Sequence, residues 1–187
     1  MNTSSLKFLV LSCSLNPASK SFRLARVATE SLESLGVAVE LVDLRELNLP
    51  FCDGQQSRFH PDAMAMGKKV ASAACVLMAG PIYNYDLNAA AKNLVELTDK
   101  AWEDKPVGFL CSAGGRASYM SPMGLANSLM LDFRSLIIPR YVYAAKGDFV
   151  EGGEPSEVIR TRIDELAGAA VELARALAWV RSQADET

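Results

Sequence analysis

The stretch Phe8-Leu9-Val10-Leu11, followed by Ser12-Cys13-Ser14-Leu15-Asn16-Pro17-Ala18-Ser19-Lys20-Ser21, decides the fold of this chain. The four apolar residues predict a buried strand. Apolar residues then recur at helical spacing from Leu24 to Leu35, before Gly36, which predicts a helix. The serine-rich loop therefore leads into a helix N-terminus, where free N–H groups and the helix dipole favour an anion. We interpret it as a phosphate-binding loop.

The charges around this loop agree with a phosphate site. Residues 1–29 contain Lys7, Lys20, Arg23 and Arg26 but no Asp or Glu. Neither G-x-x-x-x-G-K-[ST] nor G-x-G-x-x-G is present here, which argues against a nucleoside triphosphatase or a dinucleotide Rossmann site. The alternative is that Ser19 and Ser21 are ordinary helix caps.

Strand-like and helical patterns alternate along the whole chain. The predicted strands are 8–11, 37–41, 75–79, 107–111 and 136–144, and the predicted helices are 19–35, 61–73, 87–102, 119–133 and 156–180. This alternation predicts a three-layer α/β fold, in which helices cover both faces of a five-stranded parallel sheet. The flavodoxin-like strand order 2-1-3-4-5 suits five strands and brings the loops after strands 1, 3 and 4 to one crevice. No linker or repeat appears, so we expect residues 1–187 to form one domain.

The other two loops at this crevice also carry unusual residues. Gly80-Pro81-Ile82-Tyr83-Asn84-Tyr85-Asp86 follows strand 3, where we expect Pro81 to end the strand and the tyrosines and Asn84 to face a ligand. Ser112-Ala113-Gly114-Gly115-Arg116-Ala117 follows strand 4, where the two glycines permit a positive φ and a close backbone approach. Each loop taken alone could be a simple turn. Together the three predict a site for a phosphorylated flat heterocycle such as FMN.

Composition excludes several other classes of protein. The net charge is −3 and no basic stripe follows residue 29, so we expect no nucleic-acid partner. No apolar run reaches membrane-spanning length and Met1–Ser5 lacks a signal-peptide pattern, so we expect no membrane partner and a cytoplasmic location. His60 is the sole histidine and the four cysteines form no C-x-x-C, so we expect neither a metal site nor a Ser-His-Asp triad.

With these motifs the chain resembles the NADPH-dependent FMN reductase family of flavodoxin-like proteins. The matching segments are Cys13–Ser21, Pro81-Ile82-Tyr83-Asn84, Lys92-Asn93 and the Gly-Gly segment after strand 4, and the resemblance spans about residues 6–145. Two positions depart from the family pattern. Cys13 stands where the family has glycine, and Asn16 stands where it has arginine, which removes a cation from the phosphate site.

The resemblance implies a cofactor site for FMN with parts on all three loops. The implied phosphate-loop residues are Ser14, Asn16, Ser19, Lys20 and Ser21, where Lys20 could replace the missing arginine charge. The implied flavin and ribityl contacts are Pro81, Ile82, Tyr83 and Asn84, and those on the pyrimidine side are Ser112, Ala113, Gly114, Gly115 and Arg116.

The resemblance also implies an NAD(P)H-dependent FMN reductase activity. NADPH would give a hydride to FMN, which passes electrons on to flavin, quinone or another small-molecule acceptor. The flavin carries this chemistry, so no catalytic acid or base is assigned. Gly114, Gly115 and Arg116 are candidates to stabilise the reduced flavin, and Arg116 and Lys146 are candidates for the 2′-phosphate of NADPH. Helix 119–133 is apolar nearly all round, which together with the resemblance predicts a homodimer or homotetramer.

Two alternatives remain open from the sequence. A flavodoxin-like electron carrier would bind FMN without oxidising NADPH, although carriers are usually strongly acidic. A phosphatase of the low-molecular-weight tyrosine type would use Cys13 as a nucleophile. Its motif requires arginine at position 19, where this chain has Ser19, so the thiolate and phosphoryl group would lack their main electrostatic partner.

Overall fold

The central strands of this protein are apolar on both faces because helices cover both sides of the sheet. The computed structural model describes residues 6–184. The strands are β1 Lys7–Ser12, β2 Ala38–Asp43, β3 Cys75–Tyr83, β4 Asp86–Leu87, β5 Pro106–Ala113, β6 Leu136–Ile137 and β7 Val142–Ala145. The helices are α1 Lys20–Ser34, α2 Pro61–Ser72, α3 Ala89–Thr98, α4 Met123–Phe133 and α5 Glu157–Ala184.

The sheet has the order β2-β1-β3-β5-β6, and β7 also pairs with β5. All of these neighbours are parallel, whereas β4 pairs antiparallel with the end of β3. Side chains of α1 and α5 pack on one face, and side chains of α2, α3 and α4 pack on the other. The predicted three-layer α/β fold with the flavodoxin-like order is therefore confirmed, with seven strands rather than five.

The two additional strands arise from two local features. The predicted strand 136–144 is divided into β6 and β7, because residues 138–141 lie opposite only residues 108–109 of β5 and must bulge. Pro139 lies within this bulge and has no N–H to donate to a ladder. The other addition is β4, which overlaps the predicted helix 87–102 at Leu87, so that α3 begins only at Ala89.

The predicted helices differ from the structure mainly at their ends. Helix α3 ends at Thr98, and Asp99–Trp102 forms a 3-10 turn. Helix α4 begins only at Met123, after a turn in which the Ser121 amide donates to the Ser118 carbonyl.

The segment Met1–Ser5, on which the expectation about a signal peptide depends, lies outside the described residues. Within residues 6–184, no helix combines the length and apolar character needed to cross a membrane. The same part of the chain holds no group of three His, Cys, Asp or Glu side chains arranged for a metal ion. His60 caps helix α2, where its ring nitrogen Nδ1 accepts a hydrogen bond from the Asp62 amide at 3.3 Å.

Candidate functional site

An open cavity of about 290 Å³ lies at the carboxyl ends of β1, β3 and β5. Parallel strands direct their C-terminal loops to one edge of the sheet, so three separate segments meet there. The lining residues are Ser14, Asn16, Ala18, Ser19, Lys20, Pro81, Ile82, Tyr83, Ser112, Ala113, Gly114 and Lys146. Ten of the fourteen residues predicted for the site are among them.

The loop after β1 is shaped by its own polar side chains. The Ser14 hydroxyl accepts a hydrogen bond from the Asn16 amide at 3.2 Å, and the Asn16 side chain accepts one from the Ala18 amide at 2.9 Å. Ser19 is the N-cap of α1, and its hydroxyl accepts from the Phe22 amide at 3.1 Å. Short side chains that bond their own backbone stabilise such a tight turn.

The helix-cap alternative for Ser19 and Ser21 is correct in part. Ser21 is fully buried, and its hydroxyl lies 2.9 Å from that of Ser19 beneath the cavity rather than lining it. The first amides of a helix have no intrahelical acceptor. Among the described residues, Ser19 caps the Phe22 amide. The amides of Lys20 and Ser21, at the helix N-terminus, are left for a ligand to bond.

The charged side chains that line the cavity are positive. Lys20 and Lys146 both line it, and none of its lining residues within the described part of the chain is acidic. The Lys20 ammonium also lies 4.8 Å from the centre of the Phe149 ring. Two ammonium groups, serine hydroxyls and a helix N-terminus form a donor set suited to a phosphate group.

Pro81 does not end its strand, contrary to the prediction. Strand β3 continues to Tyr83, and Pro81 pairs with Ser112 of β5. Pairing with β1 stops at Ala79, whose carbonyl accepts from the Cys13 amide, so the N–H that Pro81 lacks falls beyond the end of β1. The cavity wall formed by Pro81, Ile82 and Tyr83 is therefore strand rather than loop.

A tight hairpin joins β3 to β4 beside the cavity. Asn84 and Tyr85 are its two central residues, with φ of 51° and 64°, as in a type I′ turn. Asn84 lies on the far side of this turn and lines a neighbouring cavity of about 600 Å³ rather than the first one. Tyr83 borders both cavities.

The segment after β5 contributes less to the cavity than predicted. Ser112, Ala113 and Gly114 line it, but Gly115 and Arg116 do not. The Arg116 guanidinium is exposed and paired with Asp148 at 2.6 Å. Gly114 and Gly115 do not adopt the positive φ that glycine permits, and a Cβ on either would meet only open space. Because they have no side chain, these two glycines leave space beside the backbone of the segment.

Asn88 supports the loop after β1, and the sequence patterns did not predict this role. It stands at the N-cap of α3 but makes no capping bond. Its side-chain amide instead donates to the Cys13 carbonyl at 2.7 Å and thereby fixes the start of the loop after β1. An asparagine before a helix is ordinarily read as a cap, so its real partner depends on tertiary contact.

Cys13 lacks the properties of a nucleophile. It is fully buried, and burial, with a smaller effect from the Asp43 carboxylate, raises the pKa of its thiol to about 12. A thiol with this pKa is protonated at neutral pH, whereas the phosphatase reaction needs a thiolate.

Comparisons with known proteins found similar sequences and similar structures. A family model described as NADPH-dependent FMN reductase matches residues 6–149. An NAD(P)H-dependent FAD/FMN reductase of Geobacillus thermodenitrificans (strain NG80-2) is 30% identical over 140 residues, covering 73% of this chain and 76% of the relative. An NADPH:quinone oxidoreductase of Arabidopsis thaliana is 27% identical over 173 residues, covering 86% and 88%. The crystal structure of an oxidoreductase from Corynebacterium diphtheriae has a TM-score of 0.76 at 18% identity, covering 92% of this chain and 98% of that one.

Proposed function

Because this chain belongs to the NADPH-dependent FMN reductase family, we propose that its cavity binds FMN, with the phosphate at the loop after β1. The flavin ring lies between the β3 wall and the segment after β5. The protein then works as an NAD(P)H-dependent flavin or quinone oxidoreductase, in keeping with the names of its relatives.

The observation that carries this proposal is the positive charge of the cavity lining. Lys20 and Lys146 face it without a carboxylate among its described lining residues. A phosphate group brings two negative charges near neutral pH, and charge-assisted hydrogen bonds are about twice as strong as neutral ones. A neutral ligand would gain less from this arrangement.

The residues that line the cavity suit the chemical groups of FMN. Ser14, Ser19 and Lys20 supply donors for the phosphate. Lys20 provides the positive charge that the family has in the arginine at the position of Asn16. The apolar wall of Pro81 and Ile82 suits the edge of an aromatic ring. Bound FMN supplies the hydride chemistry, so the protein need only hold the ring and leave one face open.

The first test compares FMN with riboflavin, which has the same ring but no phosphate. We expect the wild-type protein to bind FMN more tightly, and Lys20→Gln to weaken FMN binding about tenfold while leaving riboflavin binding unchanged. Flavin fluorescence quenching measures both dissociation constants. Lys68→Gln is the matched control, because Lys68 is exposed on α2, on the other side of the sheet from α1. Equal affinity for the two flavins would overturn the phosphate assignment.

The second part of the test separates an enzyme from an electron carrier. NADPH is added without oxygen to the protein with bound FMN, and the visible flavin absorption is followed. We expect rapid bleaching, followed by turnover when a quinone or free flavin is added. Tight FMN binding without bleaching would identify an electron carrier instead.

We also propose that the protein associates as a homodimer or homotetramer. Met130 and Leu131 of α4 are exposed, at 43% and 77%. A second copy of this chain would cover these apolar side chains, which otherwise face water.

A further inference from the structure

The tyrosine at the centre of β7 is bonded to the backbone of the glycine segment. Tyr143 is only 2% exposed, and its hydroxyl donates to the Gly115 carbonyl at 2.6 Å. The same hydroxyl lies 2.7 Å from that of Ser118. Because a tyrosine has one hydroxyl hydrogen, which goes to Gly115, Ser118 must be the donor in the second bond. Both hydrogen bonds of the Tyr143 hydroxyl therefore go to the loop after β5.

This bond determines the direction of a peptide group. In a planar trans peptide the carbonyl and the following N–H point in opposite directions, and no described peptide is cis. The Gly115 carbonyl is directed inward to Tyr143, which belongs to the buried core. The Arg116 amide is therefore directed outward, away from the core, and Gly114, which precedes this peptide, lines the cavity.

A separate contact holds the Arg116 side chain. Its guanidinium pairs with Asp148, whose other carboxylate oxygen accepts from the Ala145 amide at 2.8 Å. The loop is thus fastened at two points to the segment 143–148, which also carries Lys146 into the cavity. Removing the Tyr143 hydroxyl frees the peptide without releasing the whole loop.

We propose that Tyr143 is a positioning residue, which acts through the Gly115 carbonyl so that the backbone amide of Arg116, unlike its side chain, faces the pyrimidine edge of the bound flavin. This inference rests on the proposed function. The amide matters most when the flavin is reduced and negatively charged, because hydrogen bonds to charged groups are about twice as strong as neutral ones. Tyr143 therefore affects the reduction potential as well as the affinity.

The test is Tyr143→Phe, which keeps the ring packed against Tyr119, 5.4 Å away between centroids, and removes both hydrogen bonds. We expect the dissociation constant to rise about threefold for oxidised FMN and about thirtyfold for reduced FMN. That tenfold difference lowers the two-electron potential of bound FMN by about 30 mV. A merely structural effect would weaken both forms equally and leave the potential unchanged.

Tyr141→Phe is the matched control. Its ring also packs on Tyr119, at 5.1 Å, but its hydroxyl donates to the Tyr119 carbonyl rather than to the glycine segment. We expect this control to keep the wild-type potential. Thermal melting of both FMN-free variants shows whether they fold. If Tyr143→Phe does not, Ser118→Ala disturbs the same hydroxyl from the loop side, and we expect a smaller shift of the potential in the same direction.

The outcomes separate this inference from the proposed function. If the wild-type protein binds no FMN, the proposed function fails. If the wild type binds FMN and oxidises NADPH while folded Tyr143→Phe has the same potential and the same two dissociation constants, only the role of Tyr143 is refuted. A folded Ser118→Ala with the wild-type potential refutes it equally where Tyr143→Phe cannot be measured.

Discussion

Among single side chains, the four cysteines differ in burial and hence in reactivity. Cys13, Cys75 and Cys111 are buried, whereas Cys52 is partly exposed. Burial is the main cause that raises the pKa of Cys13 and of Cys75 to about 12. Since the thiolate is the reactive form, these thiols are protected both sterically and chemically at neutral pH.

We therefore expect iodoacetamide to label native protein once, at Cys52, and unfolded protein four times, since all four cysteines are free. Intact-mass measurement counts the labels. Cys52→Ser should remain unlabelled under native conditions. Labelling of native Cys13 would restore the phosphatase alternative, because it would show that this thiol is accessible and ionised.

Between secondary-structure elements, a cluster of arginines on Glu154 joins the segment before α5 to helix α1. The Glu154 carboxylate accepts from Arg23 at 2.8 Å and from Arg26 at 2.7 Å, both on α1. Arg160 of α5 approaches the same carboxylate at 3.4 Å. Burial by itself would raise the pKa of Glu154, but the hydrogen bonds and charges of Arg23 and Arg26 outweigh it and lower the pKa.

A lowered carboxyl pKa stabilises the fold above the ordinary value of 4.5, and this contribution is lost as the pH falls through the folded-state pKa. We expect Glu154→Gln to reduce the free energy of unfolding by about 1 kcal/mol at neutral pH. The difference from the wild type should shrink toward zero in acid. Urea unfolding at several pH values measures it.

Glu165→Gln serves as the comparison, because Glu165 makes a single exposed pair with Arg140 at 3.2 Å. Such surface pairs contribute little, so we expect no measurable change. An equal loss in both variants, or a loss at Glu154 that does not depend on pH, would contradict the role assigned to the arginine cluster.

For the protein as a whole, the exposed face of α4 predicts self-association. Leu131→Asp places a charge on that face, and we expect sedimentation velocity to show a smaller species than the wild type. The packed face of α4, with Leu125, Leu129 and Phe133, is unaffected, so the circular dichroism should not change. Val158→Asp is the control, because Val158 is similarly exposed, at 65%, on α5. A monomeric wild type, or a Leu131→Asp variant of unchanged size, would refute the association.

The local patterns of the sequence were enough to predict the parallel sheet, the five main helices and their order, but not β4 or the division of the last strand. Apolar runs must be buried, and alternation with amphipathic helices allows few arrangements besides a parallel sheet. The chemistry of the site was likewise visible in short motifs, since Ser14, Ser19, Lys20, Pro81 and Gly114 line the cavity. Loops after parallel strands converge, so their residues could be grouped without coordinates.

What depended on the tertiary structure was the orientation of individual groups. Asn84 and Arg116 stand in the predicted loops, yet the hairpin turn and the ion pair with Asp148 hold their side chains outside the cavity. Asn88 and Tyr143 donate to backbone carbonyls of the loops beside the cavity, from positions that local sequence assigns to a cap and to a core strand. Their partners are distant along the chain, so only the packing of strands and helices brings those atoms within hydrogen-bonding distance.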